Sequence, residues 1–150
     1  KVYEEMKKLL VLILLTLTVN IYAETIITSK SPKGYSYNLP GPFVKGGDIG
    51  WMKDGISKGK WSVVKINDEL DILFIDAYEE IISARADGGS VLPIGISETK
   101  TMFSVLVNYP NNVVEIFTFD MKNKKFFLSG HKYGARSRIK KSYLLVGECN

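Results

Sequence analysis

The side chains best suited to chemistry are few: one histidine, His131, one cysteine, Cys149, and scattered serines and carboxylates. Gly55-Ile56-Ser57-Lys58-Gly59 fits the pattern G-x-S-x-G, in which a strained turn between a strand and a helix lifts a serine hydroxyl towards a base and an oxyanion hole. His131 is the only imidazole that could serve as the base, with Asp76 or Asp120 to orient it. The residues after Ser57, however, run straight into a β-patterned segment, and no alternation of strands and helices surrounds them. A Gly-rich turn is therefore the preferred reading, and a hydrolase using Ser57 ranks third among the functions considered. Ser57 to Lys60 and Ser137 to Lys140 also fit S-x-x-K, but that pattern works by stacking Ser and Lys on one helical turn and neither segment reads as helix. No catalytic residue is assigned.

Hard cations need several oxygens converging on one point. Asp68, Glu69, Asp71, Asp76, Glu79 and Glu80 cluster along the chain, but they lack the Gly-punctuated spacing of a calcium loop and read as a solvated acidic rim. One Cys and one His cannot build a structural zinc site, and a single Cys cannot close a disulfide within the chain. No metal and no cofactor is expected, and Cys149 reads as a plain thiol near the chain end.

Charge gives the clearest asymmetry. Net charge is only +4, yet from Met121 onward eight bases (Lys122, Lys124, Lys125, Lys132, Arg136, Arg138, Lys140 and Lys141) face a single acid, Glu148. Lys132, Tyr133, Arg136, Arg138 and Lys140 thus form a candidate surface for an anionic membrane or an acidic partner, with nucleic acid the weaker version. The competing reading is a loop kept soluble by its lysines and arginines, a common protection for sheet edges. A second candidate surface lies in the stretch from Pro40 to Trp61, where Phe43 and Trp51 offer apolar contacts.

The elements that must position these groups are strands. In Thr101 to His131, the residues Phe103, Val105, Val107 and Tyr109 share one parity, and Val113, Glu115, Phe117 and Phe119 recur at spacing two, which presents alternate side chains to one sheet face. Pro110, Asn111 and Asn112 supply one reversal, and Lys122, Asn123 and Lys124 a second, with Asn123 as the expected left-handed residue. Before this meander come Trp61–Ile66 and Glu69–Ala77, joined through Asn67 and Asp68, then Glu80–Ala86 and Ser90–Ser97, where Pro93 demands an edge or a bulge. Lys141–Cys149 closes the chain, with Tyr143 and Leu145 on one face and Leu144 and Val146 on the other. Glu24–Lys30 is a weaker strand, and the glycines and prolines between Ser31 and Lys60 speak against a long regular element there.

The pattern predicts an all-β, single antiparallel β-meander domain, a barrel or sandwich of about eight strands. Its 150 residues, 45% of them hydrophobic, are enough for one core. At the N-terminus, Met6, Lys7 and Lys8 precede an apolar run from Leu9 to Val19, too short to span a membrane, and a small residue at Ala23. This predicts a signal peptide over residues 1–23, with 1–5 upstream of an initiator at Met6, and hence a bacterial protein exported to the periplasm or secreted. The three parts are then the signal peptide, a Gly/Pro-rich segment 24–60 packing on the sheet, and an antiparallel β domain 61–150. The expected function is a non-catalytic binding or accessory module acting through its loops. The alternative is a lipocalin-like carrier of a small apolar ligand, which requires a hollow interior rather than a filled one.

Overall fold

The computed structural model describes residues 23–75, 79–135 and 137–150. The signal-peptide reading over residues 1–22, the orienting role of Asp76 and the binding role of Arg136 therefore lie outside the described residues. What is described is all β: ten strands in one antiparallel sheet, curled into a half-barrel. They are β1 (Ala23–Asn38), β2 (Gly50–Gly55), β3 (Lys60–Ile66), β4 (Glu69–Ile75), β5 (Ile81–Ser83), β6 (Ser90–Ile96), β7 (Met102–Tyr109), β8 (Val113–Asp120), β9 (Lys125–Lys132) and β10 (Lys141–Cys149). Across the sheet the order is β5-β4-β3-β1-β10-β9-β8-β7-β6, with β2 on the remaining stretch of β1. Among the described residues no helix is long and apolar enough to cross a membrane.

Period-two burial organises the chain from β7 to β10. Val105, Val107, Phe117, Phe119, Phe126, Leu128 and Leu145 are all buried on the concave face, each alternating with a residue turned outward. Rings make the floor of the half-barrel. Trp61 stacks on Phe74 at 4.9 Å and reaches Phe126 at 5.8 Å, Phe126 lies 5.1 Å from Phe119, and Phe119 lies 5.1 Å from Phe103. Trp61 and Phe126 meet although β1 and β10 run between their strands, because those strands present Ser29, Gly147 and Cys149 beneath the rings. Small residues at that point let the sheet bend around its aromatic core.

The half-barrel does not close by a ladder. Its two ends approach between β4 and β6, where Arg85 donates from Nε to the Leu70 carbonyl at 2.7 Å and from Nη2 to the Val91 carbonyl at 3.1 Å. Buried Asp71 holds the start of this bridge, accepting from Ser83 Oγ at 2.6 Å and from the Arg85 backbone N–H at 3.2 Å. Pro93 lies on β6, the outermost strand, beside a register shift, as a residue without an N–H must.

Three local expectations are corrected. The stretch from Ser31, expected to lack a long regular element, carries the second half of a 16-residue β1 and all of β2. The chain passes Pro32 because β1 changes partners there: Ala23–Lys30 pairs with β3, Lys33–Asn38 with β2, and the register shifts between Lys30 and Lys33. A proline at such an irregularity forfeits no ladder bond, and its carbonyl accepts from Ile56 N–H at 3.0 Å. Secondly, Glu80–Ala86 shortens to β5, Ile81–Ser83, since the next residues fold into the turn that carries Arg85. Thirdly, the left-handed residue after β8 is Lys124, with φ 53°, because Asn123 instead spends its backbone N–H and side-chain amide on the Asp120 carboxylate.

Candidate functional site

One row of three residues across β8, β9 and β10 builds the site. Glu115 pairs with Gly130, and Gly130 with Tyr143. A Cβ at Gly130 would stand 2.6 Å from Tyr143 Oη and 2.9 Å from the Val114 carbonyl, so only glycine lets the phenol ring lie flat across β9. The Tyr143 hydroxyl thereby reaches over one whole strand and donates to Glu115 Oε1. Lys132, further along β9 on the same parity as Gly130, brings Nζ to the same oxygen at 2.9 Å.

These groups are buried to different extents, and that sets their electrostatics. Glu115 and Tyr143 are both buried, while Lys132 is half-buried. Burial, reinforced by the Glu115 charge, pushes the Tyr143 hydroxyl well above its ordinary pKa, so it serves only as a neutral donor. Burial and the same carboxylate also raise Tyr109. Two ammonium groups lie over the ring of Tyr143, Lys132 Nζ at 5.6 Å and Lys141 Nζ at 5.5 Å from its centre. Lys141 is in turn ion-paired to Asp54 of β2 at 2.5 Å. Burial pulls the Asp54 carboxyl up, but Lys141, the Gly55 N–H and Ser36 outweigh it and hold the group below its ordinary value.

Above this row one end of the half-barrel stays open. A cavity of about 430 Å³ opens at the mouth of the half-barrel, walled by Trp61, Ile72, Phe117 and Leu128, with Glu115 and Lys132 on one side. Tyr109 also borders it. Such a space, apolar with a few convergent polar groups, has the make-up of a small-molecule pocket. The arrangement can hold an apolar body and offer N–H and O–H donors to one polar end.

The residues singled out in the sequence do not gather here. Phe43 is 65% exposed in the loop between β1 and β2, and Trp51 is 74% exposed on the convex face, edge-on to Tyr37. Tyr133 gives or takes a hydrogen bond with Ser142 at 2.5 Å, and Arg138 and Lys140 are exposed beyond it. Among those of them that are described, only Lys132 lines the cavity. Ser57 is exposed in the short connection from β2 to β3 and is followed by a strand, while His131 lies on β9 with Nδ1 2.9 Å from Ser142 Oγ. Sequence reasoning does not single out Glu115, Gly130, Tyr143 or Tyr109 as site residues. The signal that could find them is Glu115 itself, a carboxylate on the parity of Val113, Phe117 and Phe119. Among the described residues no group of acids, His and Cys is arranged to hold a metal ion.

Compared with known protein families, curated proteins and solved structures, the chain matches none.

Proposed function

We propose that this protein is a non-catalytic carrier or sensor of a small, largely apolar molecule, held in the half-barrel with its one polar end at Lys132. The observation that carries this reading is the apolar cavity of about 430 Å³ at the mouth of the half-barrel, bordered by the rings of Phe74 and Tyr109. Lys132 gives Glu115 one of its three N–H donors, and the raised pKa of Tyr109 keeps its hydroxyl a donor as well. Donors of this kind suit an acceptor on the ligand, a carbonyl or a carboxylate. The N-terminal apolar run supports placing the carrier outside the cytoplasm, in the periplasm or the medium.

Displacement of a fluorescent apolar carboxylate, such as a polyene fatty acid, tests the proposal. Ile82 lines the cavity and is itself 38% exposed, so Ile82→Trp fills the mouth without disturbing the buried floor. Saturable one-site binding is expected, and Ile82→Trp should weaken it at least about tenfold, a change of about 1.4 kcal/mol. Absence of saturable binding, or binding that Ile82→Trp leaves unchanged, refutes a ligand in the half-barrel.

A further inference from the structure

The outer face of the same strands is apolar as well, and nothing among the described residues covers it. Cross-strand register places Leu144 beside Tyr35, Val146 beside Lys33, and Tyr37 beside both Ser142 and Trp51. Tyr35 is 54% exposed, Leu144 55% and Trp51 74%. Isolated exposed apolar residues need no explanation, but a contiguous group on adjacent strands marks a contact surface. Its polar border is mainly basic. Lys33 and Lys53 are exposed among these residues and line one shallow depression together with Tyr35, Asp54 and Ser57. The carboxylate among them, Asp54, is neutralised by Lys141. Glu148 sits at the far end of β10, opposite Lys30 on one side and Lys125 on the other.

We propose that this convex face, centred on Tyr35, Trp51 and Leu144 and edged by Lys33 and Lys53, docks on an anionic lipid surface. Tryptophan and tyrosine suit the boundary between headgroups and acyl chains, since each has an apolar body and a polar tip. Lysines beside them meet lipid phosphates with their long stems along the apolar surface. A second copy of the chain fits less well. An isologous contact must be self-complementary, and on this patch Lys33 and Lys53 outnumber the one exposed carboxylate of β10, Glu148, that a second copy could set against them. The surface is independent of the cavity, so docking and ligand binding stand or fall separately.

The full chain, mixed with vesicles of phosphatidylcholine alone and of phosphatidylcholine with phosphatidylglycerol, supplies the test. Trp51 is exposed and Trp61 is 4% exposed, so a blue shift of the emission on docking reports Trp51. Cosedimentation and this shift are expected with the anionic vesicles, fading as salt rises. Lys33→Glu combined with Lys53→Glu should weaken binding by roughly 20-fold or more, at the usual strength of a basic side chain near a charged bilayer. All these positions are exposed, and unchanged circular dichroism confirms that the variants remain folded. Three results each overturn the proposal: no binding to anionic vesicles, equal binding by the charge-reversed protein, or a concentration-dependent dimer abolished by Leu144→Ser.

Discussion

Leu144 and Leu145 are neighbours on β10, yet the first is 55% exposed and the second 1%. The same contrast runs along β10 and the stretch of β1 beside it, whereas on β3 the neighbours Val63 and Val64 are both buried. On the concave face, rings interlock and one buried carboxylate is held by a tyrosine and a lysine. On the convex face, apolar side chains stand in rows against solvent. The difference teaches that in a one-sheet fold hydrophobic content alone does not identify the core. Curvature does, because bending brings one face's side chains together and spreads the other's apart.

Substitutions on the two faces should therefore separate widely in stability. The largest effect is expected for Phe126→Ala, which removes a fully buried ring packed against Trp61, Phe117 and Phe119. Urea denaturation should show a loss of about 3–5 kcal/mol.

Next comes Gly130→Ala, where the new methyl would meet Tyr143 and the Val114 carbonyl. About 1–3 kcal/mol is expected as the phenol is forced away from Glu115. This change also sharpens the comparison through pH. Tyr143 has its pKa raised above the ordinary 10.0 by burial and by Glu115. Its contribution is thus complete below pH 10, where both states keep the proton. Above that the unfolded chain ionises and the folded one does not, so stability falls by about 1.4 kcal/mol per pH unit. In the Gly130→Ala protein, phenolate absorbance should appear at lower pH, and Tyr143→Phe should remove this part of the alkaline slope. A wild-type slope matched by Tyr143→Phe would show that the ring is not held as described.

The smallest effect is expected for Leu144→Ser, within about 0.5 kcal/mol of wild type by the same denaturation, as for other exposed positions. A penalty as large as that of a core truncation would mean that the convex face is covered in solution.

Much of this architecture is legible in the chain, for reasons that differ by element. Asn67 and Asp68 have φ of 50° and 67°, and Asn111 and Asn112 of 69° and 58°. These residue types tolerate the left-handed region best, so both hairpins are readable. Strict alternation from Phe103 to Phe119 is equally plain. The N-terminal arm is not. Pro32 and Gly34 read as breakers, yet Pro32 sits where β1 exchanges one partner for another. At Gly34 a Cβ would stand 2.1 Å from the Leu144 carbonyl, so this glycine marks close strand approach rather than a loop. The site is half visible. Lys132 stands out for its charge, whereas Tyr143 acquires its role only through Gly130, a pairing across strands that no local pattern encodes. Glu115 is conspicuous by type, but its partners come from β9 and β10, and the hollow above it depends on how far the sheet bends.

The central claim, a ligand-holding hollow floored by aromatic rings, is tested most directly by the fluorescence of Trp61. In a Trp51→Phe protein Trp61 is the sole remaining tryptophan, and it lines the cavity. Titration with an apolar carboxylate should change its emission along a one-site saturation curve, and adding Ile82→Phe should move that curve to higher concentration. A Trp61 signal that stays flat while the carboxylate is in large excess would contradict the account.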